Sequence, residues 1–340
     1  MQQGVTRPWI AGAVALVSAS AVAAGPVVNP VAVPLTIPTA AEILLAAQDI
    51  TLDLVRHGES VDNAEDVLGT IPPGAALTAL GQQQAVDVAP GIQAAFPDGI
   101  DGIYASEFLR AQDTAQPLAD LLNMDITTLA GLNELHGGFL EGEPLNILTQ
   151  IGYIFAPVMW IMGQYWMPQL GSTIDVNGVV FNDRVSDAIE AIYGNTIADP
   201  ESPTTSVAFA HAGTIAIWTL MNVKNPDLWL VINEGIKTLS PLANAAQVVI
   251  EGNPTDGWTL VSWDGHEVSA TPDLLTGLFV DWRDLTTAPQ IATWHILEAI
   301  QGGDQAEIAA ALETGFEQVV AAISAFPQAV VDTFTDAFGG

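Results

Sequence analysis

The chain has 340 residues, and seven Lys plus Arg against 39 Asp plus Glu leave a formal charge of -32. Such a surface repels nucleic acid and anionic lipid, so no nucleic-acid partner is expected and any anionic substrate has to be captured locally. With 49% hydrophobic residues the chain can bury one large core or two, which excludes disorder throughout, and the absence of cysteine excludes disulfides and thiolate chemistry.

Residues 1–24 read as a signal peptide or an N-terminal anchor. An apolar, small-residue stretch from Trp9 to Ala24 follows Arg7, and Ala21-Val22-Ala23 has the A-x-A form of a cleavage site. The expected location is therefore secreted or cell envelope. Residues 25–48 read as an extended linker, because Pro26, Pro30, Pro34 and Pro38 cannot sit inside a helix.

A catalytic domain is expected over residues 49–265. It opens with an apolar strand from Ile50 to Arg56, and Gly58 permits a tight turn after it. In open α/β sheets the ligand crevice lies beyond the carboxyl ends of strands, so His57 is placed to face it. A helix starts near Leu77 with Thr78 as N-cap. Residues 99–106 then read as a strand and 107–122 as an amphipathic helix, with Arg110 in its first turns.

From Pro144 to Ile174 no residue is charged, and Tyr153, Phe155, Trp160, Tyr165 and Trp166 alternate with Met159, Met162 and Met167. Three arrangements of this insertion, residues 144–180, fit: a cap offering apolar contacts to substrate or membrane, a transmembrane helix interrupted by Pro157 and Pro168, or a buried helix pair. Residues 182–193 return to helical periodicity, with Arg184 expected in a structural salt bridge. Residues 205–210 form a β-branched strand ending in His211, the same placement as His57. Residues 247–251 and 258–263 read as an antiparallel hairpin. The extension, 266–340, shows helical patterns over 288–300 and 305–326, split at Gly302-Gly303, with Pro327 setting off a last short piece. His295 and Glu298 are expected to be a packing pair, since no further ligand supports a metal.

The stretch Leu54-Val55-Arg56-His57-Gly58-Glu59-Ser60 resembles the opening motif of the histidine phosphatase superfamily, which contains acid phosphatases and cofactor-dependent phosphoglycerate mutases. Three further segments resemble that family in the same order: Ser106 to Ala115 around Arg110, the loop Gly131 to Gly142 around Glu134, and His211-Ala212-Gly213-Thr214. The resemblance implies a three-layer α/β/α sandwich with a mixed, mostly parallel sheet, to which this chain adds the apolar insertion and the helical tail. It implies His57 as nucleophile, Arg56 and Arg110 as phosphate binders, Glu134 as general acid and His211 as donor to the phosphoryl oxygens. Ser60 and Asn63 are implied as further phosphate contacts. Neither metal nor cofactor is implied.

Two departures are visible. Ala212 stands where the family has glycine, and the loop 64–76 has no Lys or Arg, whereas mutases tend to carry bases there. The expectation is a metal-independent phosphomonoester hydrolase acting on a small-molecule phosphate ester, with an apolar or lipid-like group suggested by the insertion. The alternatives are a phosphoglycerate mutase-type phosphotransferase, or a non-catalytic envelope or host-interaction protein on the same fold. Membrane contact is expected, if anywhere, through 144–174 or the C-terminal helices, and the oligomeric state is left open.

Overall fold

The computed structural model describes residues 48–238 and 240–338, so the expected leader and the linker up to residue 47 lie outside the described residues. Seven strands form one mixed sheet: β1 (Ile50–Arg56), β2 (Gly102–Ala105), β3 (Ile126–Thr128), β4 (Thr205–Ala210), β5 (Gln247–Asn253), β6 (Gly257–Trp263) and β7 (His266–Glu267). Their order is β3-β2-β4-β1-β5-β6-β7. The first four strands in that order run parallel, and β5 to β7 continue antiparallel from β1. Tight turns join only antiparallel neighbours, so the short link around Pro254 produces the expected hairpin.

Helices cover both faces. They are α1 (Val61–Ala64), α2 (Ala79–Ala95), α3 (Leu109–Leu122), α4 (Ile147–Ile161), α5 (Gly178–Thr196), α6 (Ala212–Asn222), α7 (Leu228–Thr238), α8 (Leu274–Gly302) and α9 (Gln305–Phe338). Side chains alternate across a strand, so β1 sends Leu52 and Leu54 into one core and Val55 into another. The Val55 core takes Ala89 and Ile92 from α2 and Ala111, Ala115 and Leu118 from α3. The opposite core takes Trp160 from α4, Phe181, Val185 and Ile189 from α5, and Ile215 and Trp218 from α6. A strand covered on both sides needs a near-continuous apolar run, which is what the sequence before Arg56 supplies. Asp53 is the exception: it is fully buried and neither carboxylate oxygen has a hydrogen-bond partner.

The insertion resolves into one helix and a long return loop. At 15 residues α4 is shorter than the roughly 20 that a helix needs to cross a bilayer. Its faces divide the work. Trp160 is fully buried, stacks on Phe181 at 5.5 Å and donates from Nε1 to the Met167 carbonyl at 2.7 Å. Gln150, Tyr153, Ile154 and Pro157 line a cavity, while Ile147, Leu148, Ile151, Phe155 and Val158 are exposed.

The tail splits at Gly302-Gly303 as expected and departs from expectation at the start of its first helix and at Pro327. The first helix begins at Leu274, capped by Asp273, which accepts from the Thr276 N–H at 2.9 Å, and it ends at Gly303 in the left-handed region. Pro327 does not divide the second helix, which runs unbroken to Phe338. The reason is support from outside the helix: α9 pairs lengthwise with α8, and Gly315 of α9 meets Ala292 and Ile296 of α8. Among the described residues, α9 is the one helix long and apolar enough to cross a membrane, with mean hydropathy 1.2 and 6% of the apolar stretch buried.

Candidate active site

The parallel register of β1 and β4 pairs Arg56 with Ala210, so the next residue of each strand, His57 and His211, falls side by side. Their ring centroids are 5.1 Å apart. The neighbouring strand β2 pairs Ala105 with Phe209, which brings Ser106 to the same edge. Three strand ends thus converge on one point.

Hydrogen bonds fix both tautomers. The Nδ1 of His57 lies 2.6 Å from the Gly58 carbonyl. A carbonyl only accepts, so Nδ1 carries the proton and Nε2 keeps its lone pair. For His211, the Nε–H of Arg110 donates to Nδ1 at 3.4 Å, and Nε2–H donates to Ser106 Oγ at 2.8 Å. Burial holds the His57 imidazole well below its ordinary pKa, with Arg110 and then Arg56 adding to the effect. Burial, Arg110 and His57 do the same to His211. Both rings are neutral at physiological pH.

Besides its bond to His211, Arg110 is aimed by three contacts. One Nη donates to Asp62 at 3.3 Å, the other to the Gly69 carbonyl at 2.9 Å, and the guanidinium lies 4.3 Å over the Phe108 ring. Arg56 donates from Nη1 to Ser240 Oγ at 3.0 Å and to the Leu242 carbonyl, while its buried Nε has no hydrogen-bond partner. Burial draws the Arg56 pKa down to about 10, which leaves it charged at neutral pH. Both guanidiniums and His57 open onto a cavity of about 460 Å³.

The spacing around Arg110 now has a cause. One turn after it, Thr114 Oγ1 donates back to the Arg110 carbonyl at 2.6 Å and accepts the Gly58 N–H at 2.9 Å, tying α3 to the loop behind His57. Gly58 is required by close approach rather than by a turn: a Cβ there would lie 2.6 Å from the Gly81 carbonyl oxygen. Gly81, in the first turn of α2, is excluded from larger residues by Glu59 in return.

Glu134 enters from the loop after β3. One carboxylate oxygen accepts the Thr214 N–H at 3.0 Å and the Leu135 N–H at 2.9 Å, and the other accepts the Gly213 N–H at 3.4 Å. The N-terminal N–H groups of α6 lack partners within their helix, so a carboxylate is well held there. A Cβ on Gly213 would come 2.7 Å from Glu134 Oε1, so a larger residue there would push the carboxylate from this position. Ala212 has no positive φ and opens α6 normally, so the departure from glycine there costs no backbone strain.

Arg56, His57, Arg110, Glu134 and Asn63 line the cavity, and His211 lies buried behind it beside His57. Ser60 is used differently from expectation. Its side chain accepts the Asn63 N–H at 3.2 Å as the N-cap of α1 and does not line the cavity, because a capping box with Asn63 already occupies it. Asn63 Oδ1 also accepts from Asn244, which donates to the His57 carbonyl at 3.1 Å. Asp62 and Asn244 were missed by sequence reasoning. Asp62 could have been found as an acid one turn beyond the Arg-His pair, whereas Asn244 lies nearly two hundred residues away and carried no signal. His136 donates nothing to the cavity; its Nδ1 accepts from the Gly138 N–H at 3.1 Å. Outside the site, His295 pairs with Asp183 at 2.8 Å rather than with Glu298.

The family model for the histidine phosphatase superfamily, branch 1, matches residues 52–263. The PE-PGRS family protein PE_PGRS11 of Mycobacterium tuberculosis is 43% identical over 298 residues, covering 86% of this chain and 49% of that protein. A protein named probable phosphoglycerate mutase GpmB, from Yersinia enterocolitica, is 39% identical over 97 residues, covering 28% of this chain and 43% of its own length. The chain therefore spans about half the length of the relatives it matches. Among solved structures, a mycobacterial glucosyl-3-phosphoglycerate phosphatase shows 21% identity and a TM-score of 0.46, covering 63% of this chain and 98% of that one.

Proposed function

The chain belongs to the histidine phosphatase superfamily, and on that footing we propose that it hydrolyses phosphate monoesters through a phosphorylated His57. The observation that carries this reading is the His57 tautomer: Nδ1–H is tied to the Gly58 carbonyl, so the Nε2 lone pair is free, and burial beside two guanidiniums keeps it unprotonated. Nε2 attacks phosphorus, the bond to the ester oxygen breaks, and the carboxyl of Glu134 gives its proton to the departing oxygen. The Glu134 carboxylate then takes a proton from water, whose oxygen attacks the phosphohistidine and breaks its P–N bond. Arg56 and Arg110 hold the equatorial oxygens, charged donors being the strong ones. His211 donates to those oxygens by exchanging Ser106 for them, since its proton sits on Nε2.

Hydrolysis of an ester with an apolar group is supported over transfer within a phosphoglycerate. Among the described lining residues the cations are Arg56 and Arg110, both committed to the phosphoryl end, while Asp62 and Asp66 line the same cavity. A substrate carboxylate finds no further cationic side chain among the described lining residues. Leu68, Leu145, Ile154, Pro157 and Ile217 instead offer apolar walls to the rest of the ester.

The test is to assay purified protein against a panel of phosphomonoesters and to trap the intermediate. Brief incubation with labelled ester is expected to leave acid-labile, base-stable phosphate on the protein, and His57→Ala to abolish both label and turnover. Substantial turnover by a folded His57→Ala protein would sink the nucleophile assignment. Interconversion of phosphoglycerates primed by a bisphosphate, without release of phosphate, would establish the mutase instead.

A further inference from the structure

The backbone of the loop that carries Glu134 is gripped by side chains from α5 and from the insertion. Arg184, on α5, donates from Nη1 to the carbonyls of Gly131 at 2.9 Å and Asn133 at 3.0 Å. Its Nε and Nη2 donate to the two oxygens of Asp175 at 2.8 and 3.0 Å, a bidentate pair. Asp175 is fully buried, and its Oδ2 also accepts the His136 N–H at 2.9 Å. The insertion adds two more contacts: Tyr153 Oη–H donates to the Leu135 carbonyl at 2.7 Å, and Gln169 donates to the His136 carbonyl at 3.3 Å. Every residue from Asn133 to His136 except Glu134 thus has its backbone held by this assembly.

From this geometry we infer that Arg184 and Asp175 are positioning residues for Glu134, and that the apolar insertion serves the chemistry by moulding the acid loop. The inference rests on the proposed role of Glu134. Between the short 3-10 turn Ala130–Leu132 and the next one at Gly138–Leu140 the loop has no regular structure to place a carboxyl group. Outside contacts have to do so. Glu134 itself bonds to α6, so two supports meet at this residue: α6 holds the carboxylate and, through Thr214 Oγ1, the Asn133 carbonyl at 2.7 Å, while the Arg184–Asp175 pair holds the backbone on both sides of Glu134. The pair is hard to replace by charge alone. Arg184 uses both Nη groups and Nε in a planar fork, which a lysine ammonium cannot reproduce. Removal of either partner leaves a charge with little access to water, since the Arg184 side chain is 17% exposed and that of Asp175 0%. A displacement of about 1 Å at a reacting group can cost roughly 10²-fold in rate.

The experiment compares kcat/KM for an alkyl phosphate, whose leaving oxygen needs a proton, with that for p-nitrophenyl phosphate, whose leaving oxygen does not. This ratio reports proton donation and is indifferent to general loss of active protein. Asp175→Asn and Arg184→Lys are each expected to raise the nitrophenyl-to-alkyl ratio by about tenfold or more, in the direction of Glu134→Gln. Combined with Glu134→Gln, neither is expected to change the ratio further. If either fails to fold, Tyr153→Phe decides, because it deletes a single hydroxyl from the same assembly and is expected to raise the ratio severalfold. Unchanged ratios in folded clamp variants, or equal changes with and without Glu134→Gln, overturn the inference while leaving the phosphatase reading intact. If the wild-type protein cleaves neither ester, or Glu134→Gln leaves the ratio unaltered, the acid assignment itself falls and the inference falls with it.

Discussion

Arg110 donates from Nε to Nδ1 of His211 at 3.4 Å, and that contact places the imidazole proton on Nε2, where Ser106 Oγ receives it at 2.8 Å. A cation bonded to one ring nitrogen cannot tolerate a proton on it. The same guanidinium depresses His57, so the two rings are kept neutral by one side chain as well as by burial.

The first prediction concerns acid pH. With His57 held well below its ordinary pKa, kcat/KM for p-nitrophenyl phosphate, whose leaving oxygen needs no proton from Glu134, is expected, once corrected for the second ionisation of the ester, to show no inflection near the ordinary histidine value of about 6.5. An inflection there would show that the nucleophile titrates like an exposed histidine. Stability has the opposite tendency. Both rings are neutral when folded and protonate when unfolded below about 6.5, so each contributes stability above that pH which is lost as pH falls toward the folded values.

Asp53 gives a prediction of opposite sign. Burial without any hydrogen-bond partner raises its carboxyl pKa from 3.8 to about 8. The unfolded chain releases this proton near pH 4 while the folded chain retains it to about pH 8, so the carboxyl erodes stability as pH rises through that window and has no further effect above it. Asp53→Asn removes the titration. Its stability relative to wild type, followed by urea unfolding, is expected to improve steadily from about pH 4 to about pH 8, by a total of order 5 kcal/mol at about 1.4 kcal/mol per pH unit. A pH-independent difference would show that Asp53 is paired or hydrated in solution.

Substrate selection is expected to follow the wall of the cavity and not the aromatic count of the insertion. Trp160 is core, so Trp160→Ala is expected to cost about 3–5 kcal/mol of stability and to lower activity on all esters through loss of folded protein. Ile154 lines the cavity, and so does Leu145. Replacing both with Ala is expected to reduce kcat/KM for a long-chain phosphate ester by roughly tenfold relative to a short polar one, the equivalent of about two CH₂ contacts at about 0.8 kcal/mol each. Proportionate loss on both esters, at unchanged Tm, would remove the apolar wall from specificity.

Much of this site was legible because it is assembled from strand ends. His57 and His211 follow apolar runs that read as buried strands, and a residue just past the carboxyl end of such a strand in an open α/β sheet faces the crevice. Arg110 was picked out by the resemblance of its segment to the family, and one helical turn then accounts for Thr114 beside it. Other features depend on contacts between distant segments and left no local trace. Ser60 satisfied the expectation of a polar residue near the phosphate, yet the nearest unpaired N–H groups were those of its own helix, and its hydroxyl went to them. Trp160 and Phe155 look alike in an uncharged stretch, and only the packing of α4 on α5 decided that one is core and the other surface. Pro327 was read as a break because a lone helix loses a hydrogen bond there, whereas support along α8 carried α9 through it. Arg184 could be foreseen as a salt-bridged residue, but its grip on the backbone around Glu134 exists only because the fold closes the insertion onto that loop. Periodicity determined the strands and the residues at their ends; tertiary contact decided which polar side chains were left free to face the cavity.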